Sequence, residues 1–367
     1  MTPVNKKWVE ASSPPKEHQA RESSVVRIIK KILLSEYFIL YLTILCFFIL
    51  WIIIPNIATP YNLGNILANL GPLLPVAIGQ TFVLIVGGID LSQISIMSVT
   101  SVVGAAVMSY QLDGTLLSAS PLWGNFLSVH GSPVGNTLWA VPLALLAMLL
   151  TGAVVGLLNG GAIAWFRMPP FIVTLISMTL FGALAVWLTK SENIFPLPVS
   201  FDTLGSGALL FLPVPVVIAL ILALLGHLLL GRTVFGRQLY ALGANEKTAI
   251  VSGLPTRRNK LLTYVLSGLG ASIGGILYTA QLGTGSPALG TDLLLDVIGA
   301  VVIGGTSLFG GKGKVLWTIF GALFFVLLDN SLNLLGLSYY VVTTVKGAVV
   351  LLAVLFNVLR VRIQERQ

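Results

Sequence analysis

Asp329 and Lys346 ask first for a chemical explanation, because each stands inside an otherwise apolar run. They lie equally far from a turn near residues 337–338, so antiparallel helices joined there would carry them to similar depth. An isolated charge in lipid costs at least about 2.5–3.5 kcal/mol, and pairing is the natural resolution. The expectation is an intramembrane ion pair of structural kind rather than a proton relay. Asp292 and Asp296 share a helix face at i, i+4 spacing. Two carboxylates there could hold a cation, although a solvated helix end is the commoner fate of Asp292. A third acidic position, Asp90, sits in Gly87-Gly88-Ile89-Asp90-Leu91-Ser92. It reads as an N-cap accepting amide protons of the next helix, with Gly87 and Gly88 permitting a sharp turn. A gate or interface element is a compatible second reading. The fragment Val302-Ile-Gly-Gly-Thr-Ser-Leu308, with Gly304 and Gly305, resembles it and hints at an internal repeat.

Other chemistry is excluded by residue type and spacing. The run Gly310-Gly311-Lys312-Gly313-Lys314 lacks the glycine five positions ahead of Gly311 and the Ser or Thr after lysine that a phosphate-binding loop requires. This chain therefore binds no ATP through such a motif. His18, His130 and His227 are scattered, so no metal site and no catalytic group is expected. The lone Cys46 cannot form an intrachain disulfide and reads as a packing residue.

The elements that position these residues follow from composition. Only 9% of the 367 residues are charged and the mean hydropathy is +0.94. A soluble domain carries roughly 25% charged residues, so lipid must solvate most of this chain. About 20 apolar residues span the ~30 Å hydrocarbon core. Ten such runs occur near 37–54, 63–86, 94–110, 137–163, 170–189, 208–230, 260–281, 291–308, 315–333 and 340–358, the third and eighth being the weakest. Alternating them from a cytoplasmic N-terminus places 19 of the 21 Lys and Arg on one side, as the positive-inside rule demands. The exceptions are Lys190 and Lys346. Topology thus explains the net charge of +8, which no nucleic-acid partner is needed to balance.

The expected fold is an all-α membrane protein of about ten transmembrane helices with both termini cytoplasmic. Residues 1–36 form a basic tail expected to be disordered, 37–360 the membrane domain, and 361–367 a second cytoplasmic tail. Gly152, Gly156 and Gly160 repeat every four residues and mark a close-packing seam on one helix face.

The cytoplasmic loop 231–260, between the sixth and seventh runs, carries its own helix signal. Asn245 can cap, Glu246 favours the positive N-terminal end, Gly253 suits the position after the helix, and Pro255 stops it. A helix of about two turns is expected, with Ala249, Ile250 and Leu254 as an apolar patch.

Three stretches resemble one family. Residues 236–255 (GRQLYALGANEKTAIVSGLP) are similar to the cytoplasmic coupling loop of ribose/xylose-type ABC sugar permeases. Residues 295–311 (LDVIGAVVIGGTSLFGG) are similar to that family's late signature, and 87–92 to its early motif. The resemblance implies a multi-pass subunit of a bacterial inner membrane. It also implies a second permease subunit, two cytoplasmic ATPase domains that bind ATP and Mg, and a periplasmic protein delivering a monosaccharide. No cofactor is implied in this chain. Mapped by position, 245–254 would be the coupling helix, with Asn245, Glu246, Ala249, Ile250, Ser252, Gly253 and Leu254 meeting the ATPase. Two departures stand out: the N-terminal tail is longer than typical, and Gly299 stands where the family more often has Ala. Branched-chain amino-acid or nucleoside ABC permeases are alternatives within the superfamily. An ion-coupled secondary transporter using Asp90, Asp296, Asp329 and Lys346 is the alternative outside it.

Overall fold

Each of the ten apolar runs contains a helix. The computed structural model describes Ser35 and residues 37–365, with side chains as far as Val358. The 1–36 tail, Ser35 apart, lies outside the described residues. In chain order the helices are α1 (Phe38–Ile53), α2 (Pro60–Ile85), α3 (Gln93–Met108), the single turn α4 (Gly114–Leu117), α5 (Ala140–Trp165), α6 (Pro170–Thr189) and α7 (Val199–Ser206). They continue as α8 (Val214–Arg232), α9 (Val234–Ala244), α10 (Glu246–Val251), α11 (Thr256–Leu282), α12 (Leu293–Ile303), α13 (Val315–Leu334) and α14 (Tyr339–Glu365). A two-residue antiparallel ribbon, β1 (Ala208–Leu209) with β2 (Leu212–Pro213), interrupts the helical chain ahead of α8.

Among the described residues, seven helices, namely α2, α5, α6, α8, α11, α13 and residues 339–358 of α14, are long and apolar enough to cross a membrane. The other three apolar helices are shorter: α1 and α3 have 16 residues each and α12 has 11. At 1.5 Å per residue α12 is only about 16 Å long, roughly half the hydrocarbon thickness. The expected run at 291–308 is therefore a half-length helix followed by a glycine turn. Two further boundaries differ from the sequence reading. The loop 231–260 is largely helical, because α9 precedes α10, and the last helix runs on to Glu365, into the stretch read as a tail.

Within the unit that begins at Ile39, α2 is the most enclosed of the seven long helices, with every residue from Leu70 to Ile85 buried. Pro72 and Pro75 lie inside it. Proline lacks the amide that would satisfy the carbonyl four residues earlier. The carbonyl freed by Pro72 is that of Ala68, and Gln281 on α11 donates to it at 2.8 Å. The seam expected on α5 packs against the same α11. A Cβ on Gly152 would lie 2.4 Å from the Gly268 carbonyl, one on Gly156 2.4 Å from that of Tyr264, and one on Gly160 2.9 Å from Leu261 Cα. Three glycines at i+4 spacing thus let two backbones touch. Gly299, where Ala was expected, faces the Phe325 ring, whose Cζ would be 2.2 Å from an added methyl. The ring fills the space that the smaller residue leaves.

Candidate functional site

Helix α10 is built by local capping. The Asn245 side-chain oxygen accepts from the Thr248 amide at 3.0 Å. At the other end, Gly253 adopts φ +74°. The Gly253 amide donates to the Ile250 carbonyl (3.0 Å) and the Leu254 amide to that of Ala249 (3.1 Å). These paired bonds satisfy the last carbonyls and need a left-handed residue at Gly253. Lys260 at the start of α11 holds Glu246 at 2.6 Å, which ties the short helix to a long one. The apolar patch differs from the expected one. Ala249 is buried against the body, Leu254 is half-buried, and the outward surface is Ile250 with the 89% exposed Val251. Ala249 faces the body of the protein, so it is lost to the outward patch. Lys247, Ser252, Arg257 and Arg258, close to the pair in sequence, are exposed as well. Beside it a cleft of about 340 Å³ is lined by Arg167, Met168, Pro170, Ile250 and Arg257.

Against α9, which precedes α10, three glycine-rich segments meet. Helix α2 ends with Gly87 at φ +76°, the Gly87 amide bonding Leu84 and the Gly88 amide bonding Val83, both at 2.9 Å. Helix α12 ends in the same way, with Gly305 at φ +86° and the amides of Gly305 and Thr306 bonding Val302 and Val301. The two similar fragments are thus alike in conformation but out of step. Gly87 matches Gly305 in conformation, while the sequence match pairs it with Gly304, which occupies the capping position. Gly304 is needed for a different reason: a Cβ there would lie 2.8 Å from the Trp317 carbonyl. The Gly311 amide donates to the Ile85 carbonyl at 2.9 Å. A Cβ on Gly243 of α9 would sit 1.7 Å from that same carbonyl. Tyr240, also on α9, donates to the Gly313 carbonyl at 2.6 Å, and burial pushes its phenol upward, which keeps the donor proton in place. Helix α9, which leads into α10, is therefore packed on the end of α2 and bonded to the glycine-rich loop that follows α12.

Asp90 does not cap α3. The capping position is Ser92, already in a helical conformation, so the carboxylate lies too far ahead to reach the first-turn amides. Instead Oδ1 accepts from the amide and hydroxyl of Ser92, and Oδ2 accepts from the Ser267 hydroxyl of α11 at 2.7 Å. Asn159 of α5 donates to Ser92 at 2.9 Å and accepts from Ser177 of α6, while Gln93 donates to Ser267. This buried network joins α3, α5, α6 and α11. Sequence reading missed it. The buried stripe Asn259, Thr263, Ser267, polar at every fourth position of an otherwise apolar helix, is the signal that marks the partner face.

The third assembly lies on α12, α13 and α14. Lys346 Nζ is 2.6 Å from Asp329 Oδ1 and 2.9 Å from Asp296 Oδ2. Asp296 is buried, whereas Asp329 is about one-third exposed and also accepts from Asn333. Asp292 is exposed and accepts from the Tyr339 hydroxyl at 2.6 Å. His130 and His227 are exposed, and no cluster of potential metal ligands occurs among the described residues.

The family model described as "Branched-chain amino acid transport system / permease component" matches residues 62–356. The ribose import permease protein of Bacillus subtilis (strain 168) is 36% identical over 84% of this chain and 90% of its own length. That of Escherichia coli (strain K12) is 36% identical over 83% of this chain and 87% of its own. The D-allose transport system permease protein of Escherichia coli (strain K12) is 28% identical over 81% of this chain and 83% of its own. No solved structure matches.

Proposed function

We propose, because this chain belongs to the branched-chain amino acid transport system / permease component family, that it is the membrane-spanning permease subunit of an ATP-driven importer of a monosaccharide. The single observation that carries this reading is α10: a separately capped helix that holds Ile250 and Val251 outward amid basic residues, at the helix ends where the glycine turns meet. An apolar pair so displayed has no use for a chain acting alone and suits a groove on a soluble partner. The sugar class rests on the relatives, which are named for ribose and allose.

On this reading the ten apolar helices cross or enter a bacterial inner membrane, both termini are cytoplasmic, and the α9–α10 end faces the cytoplasm. A second permease subunit and two ATPase domains complete the transporter, with ATP and Mg held by the ATPases. A periplasmic protein presents the sugar. Closure of the ATPases would push on residues 245–254. Through Gly243 the push reaches the end of α2 just ahead of Gly87, and through Tyr240 the Gly313 loop that follows α12. Gly87, Gly88, Asp90, Gly304 and Gly305 then serve as a hinge rather than a catalytic site. The family's amino-acid title keeps one second reading in view, in which the solute is a branched-chain amino acid.

The test is affinity capture of the tagged chain from its native membrane, followed by assay of copurifying ATPase activity. Stoichiometric ATPase that is lost with Ile250→Glu plus Val251→Glu supports the reading. A chain that purifies alone from mild detergent and catalyses ion-coupled uptake overturns it.

A further inference from the structure

Between α2, α11, α12 and α13 lies a cleft of about 140 Å³, lined among others by Asn69, Tyr278, Gln281, Asp296 and Asp329. A single water needs about 10–15 Å³ of such space, so the cleft admits a small solute. Its walls include Pro72, Leu73, Leu293 and Val326. Apolar walls with a few convergent polar groups are the usual make-up of a small-molecule site.

One atom makes this more than a pair of acids near a lysine. Asp296 Oδ2 is occupied by Lys346, but Oδ1 is buried and has no hydrogen-bond partner. Leaving a buried acceptor unmet costs about 1–3 kcal/mol, more when it is charged. The residue itself is 5% exposed and lines the cleft. Lys346 is already shared by two carboxylates, so the assembly carries an excess of acceptors over donors. What is missing is a hydrogen-bond donor.

Resting on the importer reading, we infer that this cleft is a transit site for a monosaccharide, in which a sugar hydroxyl donates to Asp296 Oδ1 and the ring lies between Tyr278 and the apolar wall. A neutral polyol suits the cleft because it supplies donors without adding charge to a cluster whose lysine is already engaged. Asn69 is exposed at the rim, where it can contact a hydroxyl from the open side. On the proposed topology the site lies in the outer half of the membrane, ahead of the glycine turns on the inward path.

The experiment uses the complete importer with its ATPase and binding protein in proteoliposomes. Labelled D-ribose, D-xylose, D-allose and L-leucine are the probes. In a Cys46→Ser background, Asn69→Cys is reacted with a membrane-impermeant maleimide, with and without each probe at millimolar concentration. The transported sugar is expected to slow labelling at least threefold. Asn69→Leu is expected to change the uptake ratio between two sugars at least threefold at equal surface expression. Asp296→Asn serves as the buried counterpart, compared only where assembly matches the parent. A sugar that is imported yet neither protects Asn69→Cys nor shows an altered uptake ratio overturns the site while leaving the importer intact. Protection by sodium instead overturns it in favour of a cation site. Import of leucine but none of the sugars removes the sugar reading and this site with it.

Discussion

Gly152 on α5 and Gly268 on α11 occupy each other's side-chain space. A Cβ on the first would lie 2.4 Å from the carbonyl oxygen of the second, and one on the second 2.1 Å from the carbonyl oxygen of the first. In that contact the obstacle is backbone on both sides, and neither helix can yield by rotating a side chain.

This predicts the sign of a simple substitution. Alanine normally stabilises a helix by roughly 0.5–1 kcal/mol relative to glycine. At Gly152 or Gly268 overpacking should outweigh that gain and leave a net loss of about 1–3 kcal/mol. Gly161→Ala, on the same α5 with its nearest neighbour 3.9 Å away, should be neutral or slightly stabilising. Thermal unfolding of the detergent-solubilised chain compares the three, and equal behaviour would remove the close-packed seam.

A second prediction concerns Lys346, which serves two carboxylates of unequal burial. Lys346→Gln leaves the buried Asp296 charged and unpaired, a situation that costs about 3–5 kcal/mol. Asp329→Asn keeps the Lys346–Asp296 pair and, being partly exposed, should cost about 1 kcal/mol or less. The double variant Lys346→Gln with Asp296→Asn should recover part of the loss. Unfolding in mild denaturant measures the order, and an Asp329→Asn defect as large as that of Lys346→Gln would contradict it.

Helix α10 offers a third. Asn245→Ala removes a side-chain cap, at a cost of about 1 kcal/mol. Gly253→Ala places a Cβ at φ +74°, at a cost of about 1–2 kcal/mol. Both should fray the short helix without disturbing insertion of the chain. Expected are normal membrane levels with at least a threefold fall in copurified ATPase. Full ATPase recovery with both substitutions present would separate α10 from coupling.

A fourth follows from the Asp90 network. Ser267→Ala strips a hydroxyl from the buried Oδ2 and should destabilise by about 1–3 kcal/mol. Asp90→Ala in the Ser267→Ala background removes the orphaned acceptor, so the second step should cost much less than Asp90→Ala alone. A double-variant cycle reads this coupling, and strict additivity would show that the two groups act independently.

Much of this molecule is legible in the sequence. Hydropathy over a window of about 20 residues located all ten apolar helices, because hydration of a segment depends on its own composition. The same holds for the ends of α10: Asn245, Gly253 and Pro255 act on backbone groups within four residues of themselves. Resemblance of three short stretches was enough to reach the family that the chain belongs to.

Tertiary structure alone decided how those helices are turned toward one another. Spacing about a hairpin brings Asp329 to the depth of Lys346, but it cannot reveal Asp296, which arrives from another helix 50 positions away. Asp90 reads as a cap until Ser267 of α11 is seen to take its second oxygen. The match between Gly87 and Gly305, one place off the sequence match, depends on where each helix ends against its neighbours. Which face of α10 looks outward depends on Ala249 being taken up by the body. Composition and capping are local sums over neighbouring residues. The rotation and depth of each helix are instead set by contacts among several helices at once, and no single segment contains them.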